Sequence, residues 1–165
     1  MMNTVKKLFV YALIISFSQL ANTNTARIIS NYPQLLKAIN QGDSIRAIMF
    51  INKCSITHAT SDSNDVIAGM NFTTFNKYQV EKGNQKINTI ATSINMLVED
   101  GKLGTVYNYV RLRIFEDNSA EILSEYLDPT TYKQLGSISA NCTISNDHDK
   151  NGIVLYDVSY YVTSQ

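Results

Sequence analysis

Two cysteines and two histidines are the residues of this chain whose types could carry covalent or metal chemistry. His58 follows Cys54 by four residues, and a cysteine and a histidine of this kind can act as nucleophile and general base. Such spacing in a polar loop fixes no geometry, and no third group that would orient the histidine is evident. Together with Cys142 and His148, these residues match no compact zinc pattern. The sequence therefore predicts no catalytic residue, no metal site and no cofactor.

Two tyrosines and two arginines alternate along one predicted strand, at Tyr107, Tyr109, Arg111 and Arg113. Their side chains share one face, because successive residues of a strand point to opposite faces. Aromatic rings and guanidinium groups on a sheet face can bind a small polar ligand or a partner protein. The alternative is an outer face that ion pairs with Glu121 and Glu125 keep soluble. We take the four residues as the candidate binding face.

A pair of carboxylates offers a second enzymatic interpretation beside Cys54 and His58. Glu121 and Glu125 are four residues apart in a predicted strand, so both lie on one face. Two carboxylates are what glycoside hydrolysis requires. Nothing else in the sequence supports that chemistry. A small periplasmic or secreted hydrolase with an unrecognised site is therefore the alternative to a non-enzymatic binding module.

The start of the chain predicts a secretory leader. Lys6 and Lys7 precede an uncharged apolar run over residues 8–17, which is the pattern of a signal peptide. The run is shorter than the roughly 20 apolar residues that cross a bilayer, so we expect no membrane span after the leader is removed. We predict a signal peptide over 1–21, with cleavage between 18 and 26, and a single domain over 27–165.

An exported chain with a single pair of cysteines favours a disulfide bond over a reactive thiol. A bond between Cys54 and Cys142 would close a loop of nearly ninety residues, which corresponds to on the order of 4–5 kcal/mol of stabilisation. We place Cys54 just after an early central strand and Cys142 in the penultimate strand. The bond would therefore tie the start of the sheet to its end.

The charge balance limits the class of partner. The chain has 14 basic and 14 acidic residues, and without the two leader lysines 12 basic residues remain. Proteins that bind nucleic acid normally carry a basic excess, so we expect no nucleic-acid partner. We also expect a monomer that is periplasmic or secreted.

The order of predicted elements indicates a mainly β protein of the α+β class. A helix is predicted over 33–41, where Pro33 begins it and Gly42 follows it. Strand patterns then extend to residue 127, with a polar loop over 52–64. A second short helix is predicted over 129–135, capped by Asp128, and two strands follow. We expect a curved antiparallel sheet or a partly closed barrel with one or two short helices.

Two hairpins have predictable loops. A five-residue loop over 99–103 pairs Met96 with Val106 and keeps the apolar residues of both strands on one face. A three-residue loop over 116–118 pairs Leu112 with Ile122, and Asn118 can adopt the positive φ that such a loop needs.

Several segments stand in a characteristic order along residues 31–156, at 31–42, 48–54, 109–115, 127–132, Cys142 and 152–156. This arrangement resembles the VirK family of bacterial virulence-associated proteins. The resemblance implies an exported protein made alongside virulence functions. It implies no catalytic residues, because the family has no established biochemical activity to transfer. It includes both cysteines, which favours a structural role for them.

Overall fold

The chain folds into two antiparallel sheets and one α-helix in the computed structural model, which describes residues 26–60, 66–145 and 152–159. The mainly β prediction is confirmed. The predicted leader over 1–21 and His148 lie outside the described residues.

The elements follow one another with short connections over most of the described chain. In chain order they are β1 (Arg27–Ile29), α1 (Tyr32–Gln41), β2 (Ile45–Phe50), a 3₁₀ turn (Ile51–Lys53), β3 (Ser55–Ala59), β4 (Ile67–Asn71), β5 (Asn76–Lys82), β6 (Gln85–Asp100), β7 (Gly104–Phe115), β8 (Ser119–Leu127), β9 (Gln134–Thr143) and β10 (Gly152–Asp157).

Capping residues end the helix α1 on both sides, with Asn31 at the N-terminus and Gly42 at the C-terminus. The Asn31 side chain accepts a hydrogen bond from the Gln34 N–H at 3.0 Å, and the Gln34 side chain accepts one from the Ser30 N–H at 2.9 Å. This pair differs from a capping box only in that Gln34 reaches the N–H of Ser30, one residue before the N-cap Asn31. At the other end, the N–H groups of Gly42 and the next residue bond back to carbonyls of the last turn. The predicted helix over 33–41 is confirmed.

The smaller sheet has the strand order β1-β10-β2-β4, and the larger has the order β3-β9-β8-β7-β6-β5. In β2, Ala47 and Met49 are fully buried whereas Arg46 is exposed, so one face of the smaller sheet is directed to the core. Leu112 and Ile114 of β7 are buried in the same core from the larger sheet. Two facing sheets and the apolar side of α1 therefore enclose one core.

The sheets do not close on one another, so the single curved sheet or partly closed barrel expected above is corrected to two separate sheets. The chain changes sheet several times along the described residues. The first change occurs at the 3₁₀ turn Ile51–Lys53, where the chain leaves β2 in the smaller sheet and enters β3 in the larger. Strand pairs within each described sheet are antiparallel, which matches the expectation for the strand direction.

The predicted second helix over 129–135 is wrong. Asp128 does accept hydrogen bonds from the N–H groups of Thr130 and Thr131, at 2.9 and 2.7 Å, as a cap would. The chain makes only one turn, because Tyr132 adopts a φ of 57°, which a helix cannot continue. Strand β9 then begins at Gln134.

A disulfide bond joins Cys54 to Cys142, with 4.7 Å between the Cα atoms. Cys54 directly precedes Ser55, the first residue of β3, and Ser55 pairs with Asn141 of β9, so Cys54 lies opposite Cys142 just before β3 begins. Because Cys54 also follows the 3₁₀ turn, the bond fixes the place where the chain first passes from the smaller sheet to the larger. Cys54 follows β2 and Cys142 lies in the penultimate strand, as predicted. The bond, however, joins two neighbouring segments of the larger sheet and not the start of one sheet to its end.

Candidate functional site

The predicted binding residues lie together on the outer face of the larger sheet. Strand β7 carries them, and it is paired on one side with β6 and on the other with β8. The apolar residues that alternate with them, among them Leu112 and Ile114, are buried in the core. We call Tyr107, Tyr109, Arg111 and Arg113 the Tyr–Arg face; each of the four side chains is half-buried. Pairing on both sides holds these side chains on a rigid support.

The two arginines of the Tyr–Arg face differ in their partners. Arg113 lies opposite Glu121, and its guanidinium approaches that carboxylate to 3.6 Å, which is the ion pair that the alternative interpretation requires. Its Nε atom is buried and has no hydrogen-bond partner in the described part of the chain. Arg111 lies opposite Leu123 and Ser93, and Glu125 lies opposite Tyr109. Within the described ranges, the Arg111 side chain has no ion pair or hydrogen bond. Arg111 is thus the available cation of the face.

Two shallow depressions meet at Arg111. One has a volume of about 200 Å³ and is lined by strands β5, β6 and β7, with Tyr78, Tyr109 and Asn76 at its rim. The other has a volume of about 250 Å³ and is lined by β7, β8, β9 and β3. Short side chains leave the space for both depressions. Ser93 is the neighbour of Arg111 on β6, and Ser139 lies on β9, two strands away on the other side. The guanidinium therefore stands between two polar hollows.

An aromatic pair closes one end of the Tyr–Arg face. The rings of Tyr107 and Tyr132 are stacked, with their centroids 5.7 Å apart and their planes 3° apart. Tyr132 is 62% exposed and lies in the turn capped by Asp128. Hydrogen bonds from the backbone of Thr131 and Thr130 lower the pKa of the Asp128 carboxyl, which keeps this cap charged. Sequence reasoning missed Tyr132, because it assigned this residue to a helix that does not form.

The cysteines and the histidine that the structure describes do not form a pair of nucleophile and base. Cys54 is bonded to Cys142, so it is neither a free nucleophile nor a metal ligand. His58 is exposed on β3 opposite Ser139. No three histidine, cysteine, aspartate or glutamate side chains come together as a metal site within residues 26–60, 66–145 and 152–159.

The paired carboxylates of the enzymatic alternative are placed on the same outer face as the arginines. Glu121 forms its ion pair with Arg113, and Glu125 lies opposite Tyr109. Both therefore border the Tyr–Arg face and contribute negative charge to its surroundings.

In the part of the chain that the structure describes, no helix is both long and apolar enough to cross a membrane.

Comparison with known proteins connects this fold to one family. A profile of the VirK protein family matches residues 28–132. No curated protein matches the chain. Among solved structures, the chain is similar to the crystal structure of lpg1832, a VirK family protein from Legionella pneumophila, with 18% identity and a TM-score of 0.59. The alignment covers 78% of this chain and 97% of that one, and at this identity the likeness concerns the fold.

Proposed function

We propose that this chain, which belongs to the VirK family, is an exported and non-enzymatic binding module that uses the Tyr–Arg face. The observation that supports the binding role is the position of Arg111. Its guanidinium has no protein partner in the described residues and stands between two polar depressions. A charged group held in this way on a sheet is prepared to donate hydrogen bonds to a ligand.

The chemistry of the face favours a small polar ligand or a polar patch of a partner protein. A guanidinium donates to carboxylate, phosphate or carbonyl oxygens, and tyrosine rings add contact area with a polar tip. Glu121 and Glu125 stand beside the arginines and offset their charge. A strongly anionic polymer is therefore disfavoured, in agreement with the balance of basic and acidic residues in the whole chain.

The proposal of export rests on the leader and on the disulfide bond. Disulfides persist in oxidising compartments such as the periplasm or the cell exterior. Lys6, Lys7 and the apolar run that follows them have the pattern of a cleaved signal. The mass of the protein recovered from the periplasm or medium should correspond to cleavage between residues 18 and 26. Recovery of the full-length chain from the cytoplasm would contradict export.

The binding role is tested by capture with immobilised protein. Wild-type chain, Arg111→Ala and Arg113→Ala are each exposed to periplasmic and host extracts, and bound molecules are identified by mass spectrometry. Lys37→Ala is the matched control, because Lys37 is exposed on α1 away from the face. We expect Arg111→Ala to lose most of a specific partner and Lys37→Ala to retain it. Equal recovery by all variants, with unchanged circular dichroism, would exclude the Tyr–Arg face as the binding surface.

A further inference from the structure

Strand β4 forms an open edge of the smaller sheet. It pairs with β2 on one side, and among the described strands it has no neighbour on the other. Its sequence, Ile-Ala-Gly-Met-Asn over Ile67–Asn71, contains none of the lysines or prolines that commonly protect a sheet edge. Such an edge presents backbone donors and acceptors to another chain.

The hydrogen bonds at both ends of β4 determine which backbone groups are presented. The Ile51 N–H donates to the Val66 carbonyl at 3.0 Å, and the Phe72 N–H donates to the Ile45 carbonyl at 2.9 Å. In an antiparallel pair, bonded and non-bonded residue pairs alternate. Residues 68, 70 and 72 therefore bond to β2, and Val66 bonds to Ile51 directly after it. The N–H and C=O groups of Ile67, Gly69 and Asn71 point to the open side.

An apolar groove of about 500 Å³ follows this open side. Ile67 is 61% exposed at one wall, and Ile94 of β6 is 36% exposed at another. Gly69 lies in the middle of the edge and lines the groove. The groove thus combines exposed apolar side chains with three residues whose backbone groups are directed outward.

One charged side chain, that of Arg46, makes one end of the groove positively charged. Arg46 lines it, and the Arg46 Nε atom donates to the Asn71 side chain at 3.1 Å. In the described part of the chain, no carboxylate pairs with Arg46. The terminal guanidinium nitrogens therefore remain available beside the Asn71 end of β4. A carboxylate is the group that complements them.

From these observations we propose that β4 binds an extended peptide segment of a partner protein by β-strand addition. The segment has apolar side chains at alternate positions and an acidic group at the end that lies beside Arg46. Backbone hydrogen bonds to Ile67, Gly69 and Asn71 hold it, and its alternate side chains enter the groove. This surface belongs to the smaller sheet, so the proposal does not depend on the Tyr–Arg face.

The direct test is amide hydrogen exchange of the wild-type chain, measured by NMR. The probe is a synthetic peptide of alternating valine and threonine that ends in aspartate, and the control probe ends in lysine. At saturation, we expect the amides of Ile67, Gly69 and Asn71 to exchange at least about tenfold more slowly, because they gain partners. The amides of Ala68 and Met70 already bond to β2 and should change little. Unchanged exchange at the three outward amides, at millimolar probe, would overturn the proposal.

Matched substitutions separate the edge from the rest of the molecule. Gly69→Pro removes an outward N–H without removing a bond to β2, and it should abolish binding of the probe. Gly69→Ala is the control, because an added Cβ meets only the Ala47 carbonyl at 3.8 Å, and it should retain binding. Arg46→Gln should weaken the aspartate probe about tenfold and leave the lysine probe unaffected. A Gly69→Pro variant that folds and binds as wild type would contradict strand addition.

A second copy of this chain is the competing occupant of the edge. Sedimentation velocity of the wild-type chain without peptide distinguishes the two. A monomer whose outward amides become protected only with the probe supports the proposal. Concentration-dependent dimers that protect the same amides without any peptide would assign the edge to self-association and overturn it. Where Gly69→Pro fails to fold, the exchange measurement on the wild-type chain decides.

Discussion

The side-chain oxygen of Asn118 accepts a hydrogen bond from the backbone N–H of Tyr32 at 2.8 Å. Asn118 lies in the turn between β7 and β8 of the larger sheet, and Tyr32 is the first residue of α1. The first N–H groups of a helix have no partner within the helix, so this bond satisfies one of them from a distant part of the chain. A residue with a φ of 65° thus shapes a turn and also holds the helix against the sheet.

Two substitutions of Asn118 separate these roles. Asn118→Gly retains the positive φ but removes the bond to Tyr32, so we expect a loss of about 1 kcal/mol in the free energy of unfolding. Asn118→Ala removes the bond and also disfavours the backbone conformation, so we expect a further loss of about 1–2 kcal/mol. Urea denaturation of the three proteins measures both steps. Equal stability of the glycine and alanine variants would contradict the backbone part of this account.

The same turn shows what the sequence can predict. The three-residue loop over 116–118 is confirmed, because Leu112 pairs with Ile122 and Arg113 with Glu121. The five-residue loop over 99–103 is wrong: Val98, and not Met96, pairs with Val106. Apolar alternation fixes which face a residue takes, but a shift of two residues preserves the faces. Asp100 accepts bonds from two loop N–H groups, and Gly104 has a φ of 74°, which together permit the tighter turn.

Sequence patterns failed where tertiary pairing overrides local composition. Strand β3 lies inside the segment that was predicted to be a loop, and its five residues are exposed. It is a strand because β9 offers it an edge and the Cys54–Cys142 bond holds it there. For the candidate site, alternation along β7 identified the Tyr–Arg face. Alternation carried no information on Tyr132, whose contact with Tyr107 depends on a turn rather than on a repeating pattern.

A buried carboxylate joins the two ends of the described chain. Asp157 is 1% exposed, and it accepts hydrogen bonds from Arg27 at 2.9 Å and from the Ser159 N–H at 3.0 Å. Burial alone would raise the pKa of Asp157. The bonds from Ser159 and the charge of Arg27 together outweigh burial, so the pKa lies below its usual value. The folded state therefore favours the charged carboxylate.

The free energy of unfolding should consequently fall at acid pH as Asp157 becomes protonated. Because the folded pKa is lower than the unfolded value, the stabilisation is present above the unfolded pKa and is lost as pH falls through the folded pKa. At pH 7 we expect Asp157→Asn to lower the free energy of unfolding by about 1–3 kcal/mol. The difference from wild type should shrink as the pH falls from the unfolded pKa through the lower folded pKa of Asp157, because the proton taken up there removes the stabilisation.

Urea denaturation between pH 2 and pH 7 measures this dependence. Asp43→Asn is the matched control, because Asp43 contacts the same arginine at the longer distance of 3.4 Å and is more exposed. We expect a smaller loss for that variant, since exposed ion pairs contribute little. A difference between wild type and Asp157→Asn that is constant over the whole pH range would contradict the role of the charged carboxylate.

Reduction of the disulfide bond should weaken the fold more than any single side-chain change discussed above. The bond spans a sequence separation of 88 residues, for which the chain-entropy account gives on the order of 4–5 kcal/mol. We expect dithiothreitol to lower the urea midpoint of the wild-type chain to that of the Cys54→Ala, Cys142→Ala double variant. The double variant itself should not respond to the reductant. A wild-type midpoint that is unchanged after complete reduction, verified by thiol titration, would contradict this structural role.

The stacked pair at the end of the Tyr–Arg face combines a contact with a backbone cost. Stacking of Tyr132 on Tyr107 contributes about 0.5–1.5 kcal/mol, whereas a positive φ at a residue other than glycine costs about 1–2 kcal/mol. The two effects nearly cancel in the free energy of unfolding. A tyrosine that adds almost no net stability in an exposed turn is better explained by a role in binding.

Substitution of Tyr132 tests whether stability and binding separate. Tyr132→Ala loses the stacking but retains the backbone cost, so we expect it to be less stable than wild type by about 0.5–1.5 kcal/mol. Tyr132→Gly loses both and should be about 1 kcal/mol more stable than the alanine variant. Both variants should lose partner capture equally, because both lack the ring, while Tyr107→Phe should retain stacking and stability. Full capture by Tyr132→Gly would show that the aromatic pair is not part of the binding surface and that Arg111 acts without it.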